Sequence, residues 1–475
     1  MNNRGNIKGD SQKGGFWNFI DTIEGDKVVW IIVFMLTMIS ALAIFSSTSQ
    51  LTGESTDRID LIRQHALIIA VGYLLIFLLY KIRKIDWFRK ISMLGFPLTF
   101  ILLILLDTHA NLGFIKAQHI NHAWRTLSLF GFQIHVFEVA KVAMVMYLAW
   151  AHNAFQEDQK AIAEGKRSHS LTLANLLAQT KTFSFMGRPF WKRVAYMYLP
   201  MLIICAMILP GSNSSAIFIG GIMLATILIG GVPFKEIFLG IAVVVTLGGS
   251  MAGLYKITDG KIFEGTRIET MFNRIGADYS IERLKGLQER SPEWYAAVDA
   301  IKQPYTAKIA IHEGGLTGKG SGNSTQKHVV THIYSDYMFS FIVEEYGLLG
   351  GILVIILFVS LLARGSMIAR LCSEEYAKIA VGGLSLMITA QAFMHIFVNV
   401  GIGPMTGQTL PLISDGGFAF LMFCTAFGVI LSISRIARNQ IREEEEAAAP
   451  LYENKDDIQV AMDVLDSIDT DNENH

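Results

Sequence analysis

The sequence predicts an all-α polytopic membrane protein of about ten transmembrane helices, with a large extracytoplasmic loop between the seventh and eighth. Two compositional features support this class. The chain of 475 residues is 52% hydrophobic and has a mean hydropathy of +0.40. Only 17% of its residues are charged, against about 25% in a typical soluble domain. In addition, apolar runs of about 20 residues, long enough to cross a hydrocarbon core, recur along the chain.

The apolar runs define the membrane segments in order. We place them at approximately residues 28–48, 65–81, 91–107, 134–152, 194–210, 214–231, 234–255, 336–363, 377–400 and 416–434. The fourth contains Glu138 and Lys141, and the eighth contains Glu344 and Glu345. Because charges at membrane depth are costly, each pair is expected to have a structural or functional role. Glu138 and Lys141, three residues apart, form either a structural ion pair or part of a polar cavity, and one of the two later glutamates could face a water-filled cavity.

Lysine and arginine residues concentrate in alternate loops, after the second, fourth, eighth and last spans. The positive-inside rule therefore predicts that both termini are cytoplasmic and that the loop at 256–335 lies outside. We divide the chain into a disordered N-terminus (1–25), a ten-helix domain (26–438) and an acidic cytoplasmic tail (439–475). The first apolar run is long enough to remain as a helix, so no cleaved signal peptide is expected. One or two short amphipathic helices are expected in the outer loop.

Composition also excludes some classes of function. The net charge of −1 gives no global field for nucleic acid. The three cysteines, Cys205, Cys372 and Cys424, have neither a metal-ligand spacing nor a disulfide pattern. No metal ligands are predicted.

Two segments rich in glycine are candidate walls of a site on the outer face. GGLTGKGSGNS at 314–324 interleaves glycines with Lys319, and successive amide groups in such a run can form a nest for phosphate oxygens. The alternative is a tight turn that re-enters the membrane. NVGIGPMTGQTLPLISDGG at 399–417 breaks the helical pattern where irregular backbone is tolerated if it lines a cavity.

Together these segments resemble the SEDS family of bacterial membrane proteins (shape, elongation, division and sporulation), across roughly residues 28–438. The family's GGL.GKG.GNS.QK pattern, followed by EE.G..G, is met within residues 309–350. GNSTQK at 322–327 is more similar to the division branch, FtsW, than to the elongation branch, RodA. The family's closing LPFISYGGSS is met by LPLISDGGFA at 410–419, preceded by the matching Thr406 and Gly407.

Other family positions are met in part. The glutamate and lysine of the QPSE…K motif are kept as Glu138 and Lys141, without the proline, and Arg125 matches the basic residue upstream. Asp415 and Phe418 stand where the family usually has tyrosine and serine. The PDxGT-like stretch at 210–215 lacks its acid, and the middle of the outer loop is longer. The departures at 415–418 and 210–215 point to a diverged branch.

The resemblance implies a peptidoglycan glycosyltransferase that polymerises lipid II at the outer face of the inner membrane during septal wall synthesis. The family's essential acid lies six residues before a tyrosine, which selects Asp299 before Tyr305, with Asp278 as runner-up. An aspartate there would act as general base in an inverting transfer. The residues implied to bind the substrate are Arg125, Glu138, Lys141, Arg267, Lys308, Lys319, Asn323, Ser324, Gln326, Lys327 and Ser414.

The same chemistry defines cofactors and partners. The diphosphate leaving group needs stabilisation by basic side chains or by a divalent cation, Mg²⁺ or Mn²⁺, whose ligands the sequence does not identify. The implied partners are a class B penicillin-binding protein, other divisome proteins and membrane lipid. A lipid II flippase or other transporter would share the helices and polar residues, and a scaffold without catalytic activity is a third reading. Against a transporter, the sequence has no internal inverted repeat.

Overall fold

The computed structural model describes the ten-helix region but neither end of the chain. The described residues are 24–48, 55–120, 123–166, 170–180, 184–258, 287, 289–329, 333–403 and 406–453. Most of the N-terminus expected to be disordered, the middle of the outer loop and the end of the acidic tail lie outside these residues. Asp278 and Arg267 lie outside them as well.

The first part of the chain forms four helices: α1 (Lys27–Ser47), α2 (Ser55–Tyr80), α3 (Ile85–Met93) and α4 (Gly95–Asp107). Asp26 caps α1, because its carboxylate accepts hydrogen bonds from the amides of Val28 at 3.0 Å and Val29 at 3.1 Å. Helices α3 and α4 are almost continuous and together make the third membrane segment.

A small antiparallel sheet of three strands follows α4, in the order β1 (Ile115–Ile120), β2 (Ala123–Leu129) and β3 (Phe132–His135). The fold class predicted from sequence contains no strands, so this sheet is an addition to it. Phe130 and Gly131 join β2 to β3 with φ values of 50° and 87°. Positive φ at both central residues is the geometry of a type I′ hairpin turn, whose twist matches that of paired strands.

The central part contains α5 (Val136–Ala163), α6 (Thr172–Ala178), α7 (Pro189–Arg193), α8 (Leu199–Ile208), α9 (Asn213–Ile229) and α10 (Phe234–Ile257). A π-helical turn at Val194–Tyr198 joins α7 to α8, so the two act as one membrane segment. The following part contains α11 (Pro292–Gly314), α12 (Ile333–Asp336), α13 (Met338–Leu371), α14 (Glu375–Asn399) and α15 (Phe418–Glu453).

Seven helical segments are long and apolar enough to span a membrane, with α9 as a shorter apolar helix. The seven are Lys27–Ser47, Ile59–Tyr80, Ile85–Asp107, Pro189–Ile208, Met338–Leu371, Glu375–Asn399 and Phe418–Glu446. Helices α5 and α10 correspond to the two remaining predicted spans. The described residues therefore agree with the predicted polytopic helical architecture of about ten membrane helices.

The outer loop contributes a longer helix than expected. Helix α11 has 23 residues and packs against α13 and α14, with Ile301, Ala307 and Ala310 buried. It is therefore part of the folded bundle, whereas the sequence indicated one or two short surface helices. Helix α15 also continues past residue 438 into the predicted tail.

Helices α14 and α15 are the most buried of the candidate spans, and α2, α5 and α13 pack around them. The sheet, α11, α12 and the segment 406–417 all lie where the spans begin or end on one side. We call this side the loop end of the bundle.

Candidate functional site

A polar cavity of about 770 Å³ lies at the loop end. Its walls come from α2, strands β2 and β3, the first turns of α5 and α9, α12 and the segment 406–421. Its charged and titratable lining residues are His65, Arg125, His135, Glu138, Asp336 and Asp415. The cavity therefore combines a guanidinium with carboxylates and imidazoles, a set that can hold an anion and take up a proton.

The sheet positions two of these side chains. Thr126 of β2 pairs with His135 of β3, so Arg125 and His135 lie next to each other where the sheet meets α5. Arg125 donates from Nε to the carbonyl oxygen of Gly211 at 3.4 Å. A Cβ at Gly211 would lie 2.6 Å from the Phe137 ring, so glycine is what allows this turn to approach α5. The strand pairing and this turn together bring Arg125 and His135 to the cavity wall.

Lys141 is the polar centre of the region behind the cavity. The residue is only 3% exposed, and its ammonium donates to Glu138 at 2.7 Å, Gln391 at 2.6 Å and Gln408 at 3.3 Å. Three acceptors match the three donors of an ammonium, so the buried charge is both paired and fully hydrogen-bonded. The consequence is that the carboxylate of Glu138 is held at the cavity wall.

The network extends from Lys141 to three other parts of the bundle. Gln391 donates to the carbonyl oxygen of Thr409 at 3.0 Å, and Gln408 donates to Ser215 at 3.1 Å. The carbonyl of Gln408 also contacts Nδ1 of His395 at 2.8 Å. These bonds fix the segment 406–409 against α9 and α14. The irregular backbone predicted to line a cavity therefore does so, held by buried side chains.

Ser414 braces this segment from behind. Its hydroxyl donates to the carbonyl oxygen of Ser335 at 2.8 Å and accepts from the amide of Leu410 at 3.0 Å. The amide of Asp415 donates to the carbonyl oxygen of Tyr334 at 3.0 Å. Ser414 is not among the cavity-lining residues, and its hydrogen bonds instead join the segment to α12.

The two departures from the family motif both face the cavity. Oδ1 of Asp415 lies 3.9 Å from Nδ1 of His65. Burial raises the pKa of Asp415, while His65 and the amide of Gly417 oppose this rise. The Phe418 ring packs edge-on against Phe132 of β3, with centroids 6.0 Å apart. The substituted positions therefore add a carboxylate and an aromatic contact to the cavity wall.

The glycine-rich loop binds a carboxylate of the protein itself. Glu344, at 0% exposure, accepts from the amides of Thr325 at 2.8 Å and Gln326 at 3.2 Å and from the Lys319 ammonium at 2.9 Å. The hydroxyl of Ser324 also donates to it. The amide, hydroxyl and ammonium groups of this loop that could bind an anion are therefore already paired with the carboxylate of Glu344 in α13.

Glu345 holds the same loop from a second side. It accepts from the hydroxyl of Ser46 at 2.6 Å and from the amide of Gly322 at 3.0 Å. The buried ammonium of Lys327 donates to the carbonyl oxygen of Gly322 at 2.7 Å. Neither Glu344 nor Glu345 lines the cavity. Both instead join the loop to the membrane helices.

The predicted substrate-binding residues therefore fall into separate groups. Arg125 and Glu138 line the cavity, and Lys141 lies directly behind it. The residues that do not line it are Lys308, Lys319, Asn323, Ser324, Gln326, Lys327 and Ser414. Asp299 lies in α11, and its side chain is outside the described part of the structure.

Several cavity residues were missed by sequence reasoning, among them His65, Thr126, Asp336 and Gln408. His65 had a usable signal, because an ionisable residue at the edge of an apolar span indicates a polar environment. Gln408 lies in the segment 399–417 that the sequence marked as a candidate wall, whereas Thr126 and Asp336 had no such signal. Within the described residues, no group of three or more His, Cys, Asp or Glu side chains is arranged to hold a metal ion.

Comparison with known proteins identifies the family. The profile of the FtsW/RodA/SpoVE family, described as "Cell cycle protein", matches residues 26–439. The chain therefore belongs to this family, the SEDS family that the motifs indicated. A solved structure, "Structural coordination of polymerization and crosslinking by a peptidoglycan synthase complex", is similar in fold, with a TM-score of 0.56 and 19% identity. That similarity covers 87% of this chain and 98% of the other.

Curated relatives match over different lengths. The "Probable peptidoglycan glycosyltransferase FtsW" of Hahella chejuensis is 36% identical over 169 residues, which are 35% of this chain and 43% of the relative. This match therefore spans less than half of that relative. The protein of the same name from Enterococcus hirae is 24% identical over 437 residues, 88% of this chain and 94% of the relative.

Proposed function

We propose that this protein is a peptidoglycan glycosyltransferase that polymerises lipid II into glycan strands at the outer face of the cytoplasmic membrane. The observation that carries the proposal is the polar cavity at the loop end, where Arg125 and Glu138 lie at the wall of an apolar helical bundle. Such a bundle gives a polyprenyl tail a place in the lipid while the headgroup reaches polar side chains. The names of the relatives support the same activity.

The reaction requires a base and an anion site. The acceptor hydroxyl attacks the anomeric carbon of the donor sugar, the bond to the diphosphate breaks, and the hydroxyl proton passes to a base. A single displacement of this kind inverts the anomeric centre. The diphosphate leaves with added negative charge, which the guanidinium of Arg125 can stabilise in a desolvated cavity. Lys141 adds positive charge behind the wall and keeps Glu138 in place.

Asp299 is the proposed general base, and Asp278 the second candidate. Support comes from the position of α11, which packs against α13 and α14 at the loop end. Lys308, on the same helix, lies against Gly401, where an added Cβ would collide with the lysine side chain. Helix α11 thus contacts the backbone that leads into the cavity-lining segment. A positioned base of this kind contributes about 10²- to 10⁴-fold to the rate.

The decisive experiment is lipid II polymerisation by purified protein, with and without its cognate penicillin-binding partner. Product from wild type and a loss of at least about 100-fold in Asp299→Asn would support both the activity and the base. Asp278→Asn makes the same change in the same loop, at the second candidate for the base. If Asp278→Asn loses activity and Asp299→Asn does not, the role of general base moves to Asp278. Absence of product from folded wild type with its partner would overturn the proposal.

The proposed partner is a class B penicillin-binding protein, with other divisome proteins at the septum. Support comes from the structural neighbour, a peptidoglycan synthase complex named for its coordination of polymerization and crosslinking, and from the FtsW-like motif. Co-purification of the two membrane proteins, and enrichment of a fluorescent fusion at the division site, would test this assignment.

A divalent cation remains a proposal without assigned ligands. The described residues contain no group of three His, Cys, Asp or Glu side chains that could hold the ion. Full polymerisation in the presence of EDTA would remove Mg²⁺ or Mn²⁺ from the scheme.

A lipid II transporter is the second candidate, and one observation favours it. The network of Lys141, Gln391 and Gln408 carries polar groups from the cavity into the bundle, as carriers do. Lipid II movement across proteoliposomes, followed by a dye quencher, would separate the two. A carrier loses transport in Lys141→Met and keeps it in Asp299→Asn, whereas the proposed enzyme loses polymerisation in Asp299→Asn.

A further inference from the structure

His65 and Asp415 present two acceptors to the cavity, an imidazole nitrogen and a carboxylate. Nδ1 of His65 lies 3.9 Å from Oδ1 of Asp415, which is too far for a hydrogen bond. His65 is only 6% exposed, and within the described residues its Nδ1 has no hydrogen-bond partner. Both side chains line the cavity. A buried polar atom without a partner is costly, so this position is a candidate ligand contact.

The hydrogen bonds of Ser40 fix which nitrogen of His65 is the acceptor. The Ser40 hydroxyl donates its single proton to the carbonyl oxygen of Ile413 at 2.9 Å. Its oxygen lies 3.0 Å from Nε2 of His65, and with its proton already used it can only accept there. Nε2 therefore carries the proton in the neutral ring, and the lone pair of Nδ1 faces Asp415.

The surroundings of Asp415 leave its charge without a fixed basic partner. The amide of Gly417 donates to it, and the phenol of Tyr334 lies close by. Among the described residues no lysine or arginine forms an ion pair with it, and His65 is its basic neighbour. The other titratable or charged side chains of this cavity are Arg125, His135, Glu138 and Asp336. The pair is thus an acceptor site of net negative charge when His65 is neutral.

We propose that His65 and Asp415 form a subsite for a primary ammonium group of the ligand that occupies the cavity. A donor at about 2.8 Å from each of two acceptors 3.9 Å apart subtends an angle of about 90°, close to the angle between two N–H bonds of an ammonium. A hydroxyl has one proton and cannot donate to both acceptors. An ammonium can do so and also neutralises the carboxylate.

The identity of the amine rests on the proposed function. For lipid II it is a free amine of the stem peptide, and a phosphatidylethanolamine headgroup carries the same chemistry. Protonation of His65 competes with either, because an imidazolium removes the acceptor and pairs with Asp415. The subsite therefore binds its amine more weakly when the imidazole of His65 is protonated.

The test measures binding of fluorescent lipid II to the full-length protein in phosphatidylcholine nanodiscs. One lipid II carries a free stem-peptide amine, and the other carries the same amine acetylated. We expect wild type to bind the free amine about tenfold more tightly, as for hydrogen bonds to a charged group. Asp415→Asn should bind both forms alike, and His65→Asn should lose the pH dependence of the preference. Asp107→Asn, on the same face but outside the cavity, is the matched control and should keep the preference.

Each outcome bears on the subsite separately from the polymerase. Equal binding of both forms by wild type, or a tenfold preference that survives in folded Asp415→Asn, overturns the subsite. Phosphatidylethanolamine that weakens free-amine lipid II binding in wild type but not in Asp415→Asn assigns the site to the headgroup. A retained preference without polymer product overturns the polymerase and leaves the subsite. If wild type binds neither form of lipid II, the assignment of this subsite to lipid II is overturned.

Discussion

At the scale of single residues, burial decides which charges matter. Lys141 and Lys378 each pair with a glutamate three residues earlier, but Lys141 is 2% exposed at its side chain and Lys378 is 37% exposed. An exposed pair gains little because water screens it. A buried pair that loses one member leaves an uncompensated charge in the bundle. Identical spacing therefore gives two different energetic roles.

We accordingly predict that Lys141→Ala lowers the free energy of unfolding by about 3–5 kcal/mol, because Glu138, Gln391 and Gln408 lose their common donor. Lys378→Ala, the matched control, should cost no more than about 1 kcal/mol. Thermal unfolding in detergent would compare them. Similar midpoints for the two variants would contradict a structural role for the Lys141 network.

Asp415 should carry a stability cost that depends on pH. Because burial raises its pKa in the folded protein, the folded state binds this proton more readily than the unfolded state does. The folded protein is therefore more stable when Asp415 is protonated, and this stability is lost as the pH rises through the raised pKa of Asp415. We predict that Asp415→Asn unfolds at a higher temperature than wild type at neutral pH. The difference should shrink as the pH falls toward about 4, and a lower unfolding temperature at neutral pH would contradict it.

At the scale of elements, the loop at 315–327 and helix α13 depend on each other through close backbone contact. Gly318 has φ +81°, and an added Cβ would collide with the carbonyl of Glu345. Gly322 has a similar φ of +85°, with open space around the added Cβ. Backbone atoms of a packed helix cannot move aside as a flexible side chain can. The two glycines therefore share a backbone conformation, but only Gly322 has room for a Cβ.

This contrast gives a matched pair of variants. Gly322→Ala should cost about 1–2 kcal/mol from its left-handed backbone alone, whereas Gly318→Ala should cost more and detach the loop from α13. Limited proteolysis within 315–327 should accordingly be faster in Gly318→Ala than in Gly322→Ala. Equal cleavage rates would mean that the contact with Glu345 does not hold the loop.

At the scale of the whole molecule, the alternation of basic loops predicts one orientation in the membrane. Ser321 in the glycine-rich loop and Glu445 near the end of α15 are both exposed and lie at opposite ends of the bundle. Ser321→Cys should react with an impermeant maleimide on intact spheroplasts, and Glu445→Cys only after permeabilisation. Both cysteines are introduced into a background that lacks Cys205, Cys372 and Cys424, and this background without a new cysteine is the control. Reversed labelling would overturn the predicted orientation.

The amino-acid sequence alone was enough to predict the polytopic helical membrane class and the family. Spans of about 20 apolar residues are local signals, because a lipid-exposed helix satisfies its backbone within the segment. The pairing of Glu138 with Lys141 could also be expected, since i and i+3 lie on one helix face. The family motifs likewise marked the glycine-rich loop and the segment 406–417.

What those motifs contact became visible only in the folded protein. The glycine-rich loop has the composition of a phosphate site, yet Glu344 and Glu345 occupy its donors, because α13 brings two carboxylates within hydrogen-bond distance. The sheet was missed because its strands are short and because β-propensity depends strongly on packing against neighbouring side chains. His65 and Asp415 are 350 positions apart in the chain, and only the packing of α2 beside α15 brings them together. Local spacing predicts elements, whereas a cavity depends on contacts between distant parts of the chain.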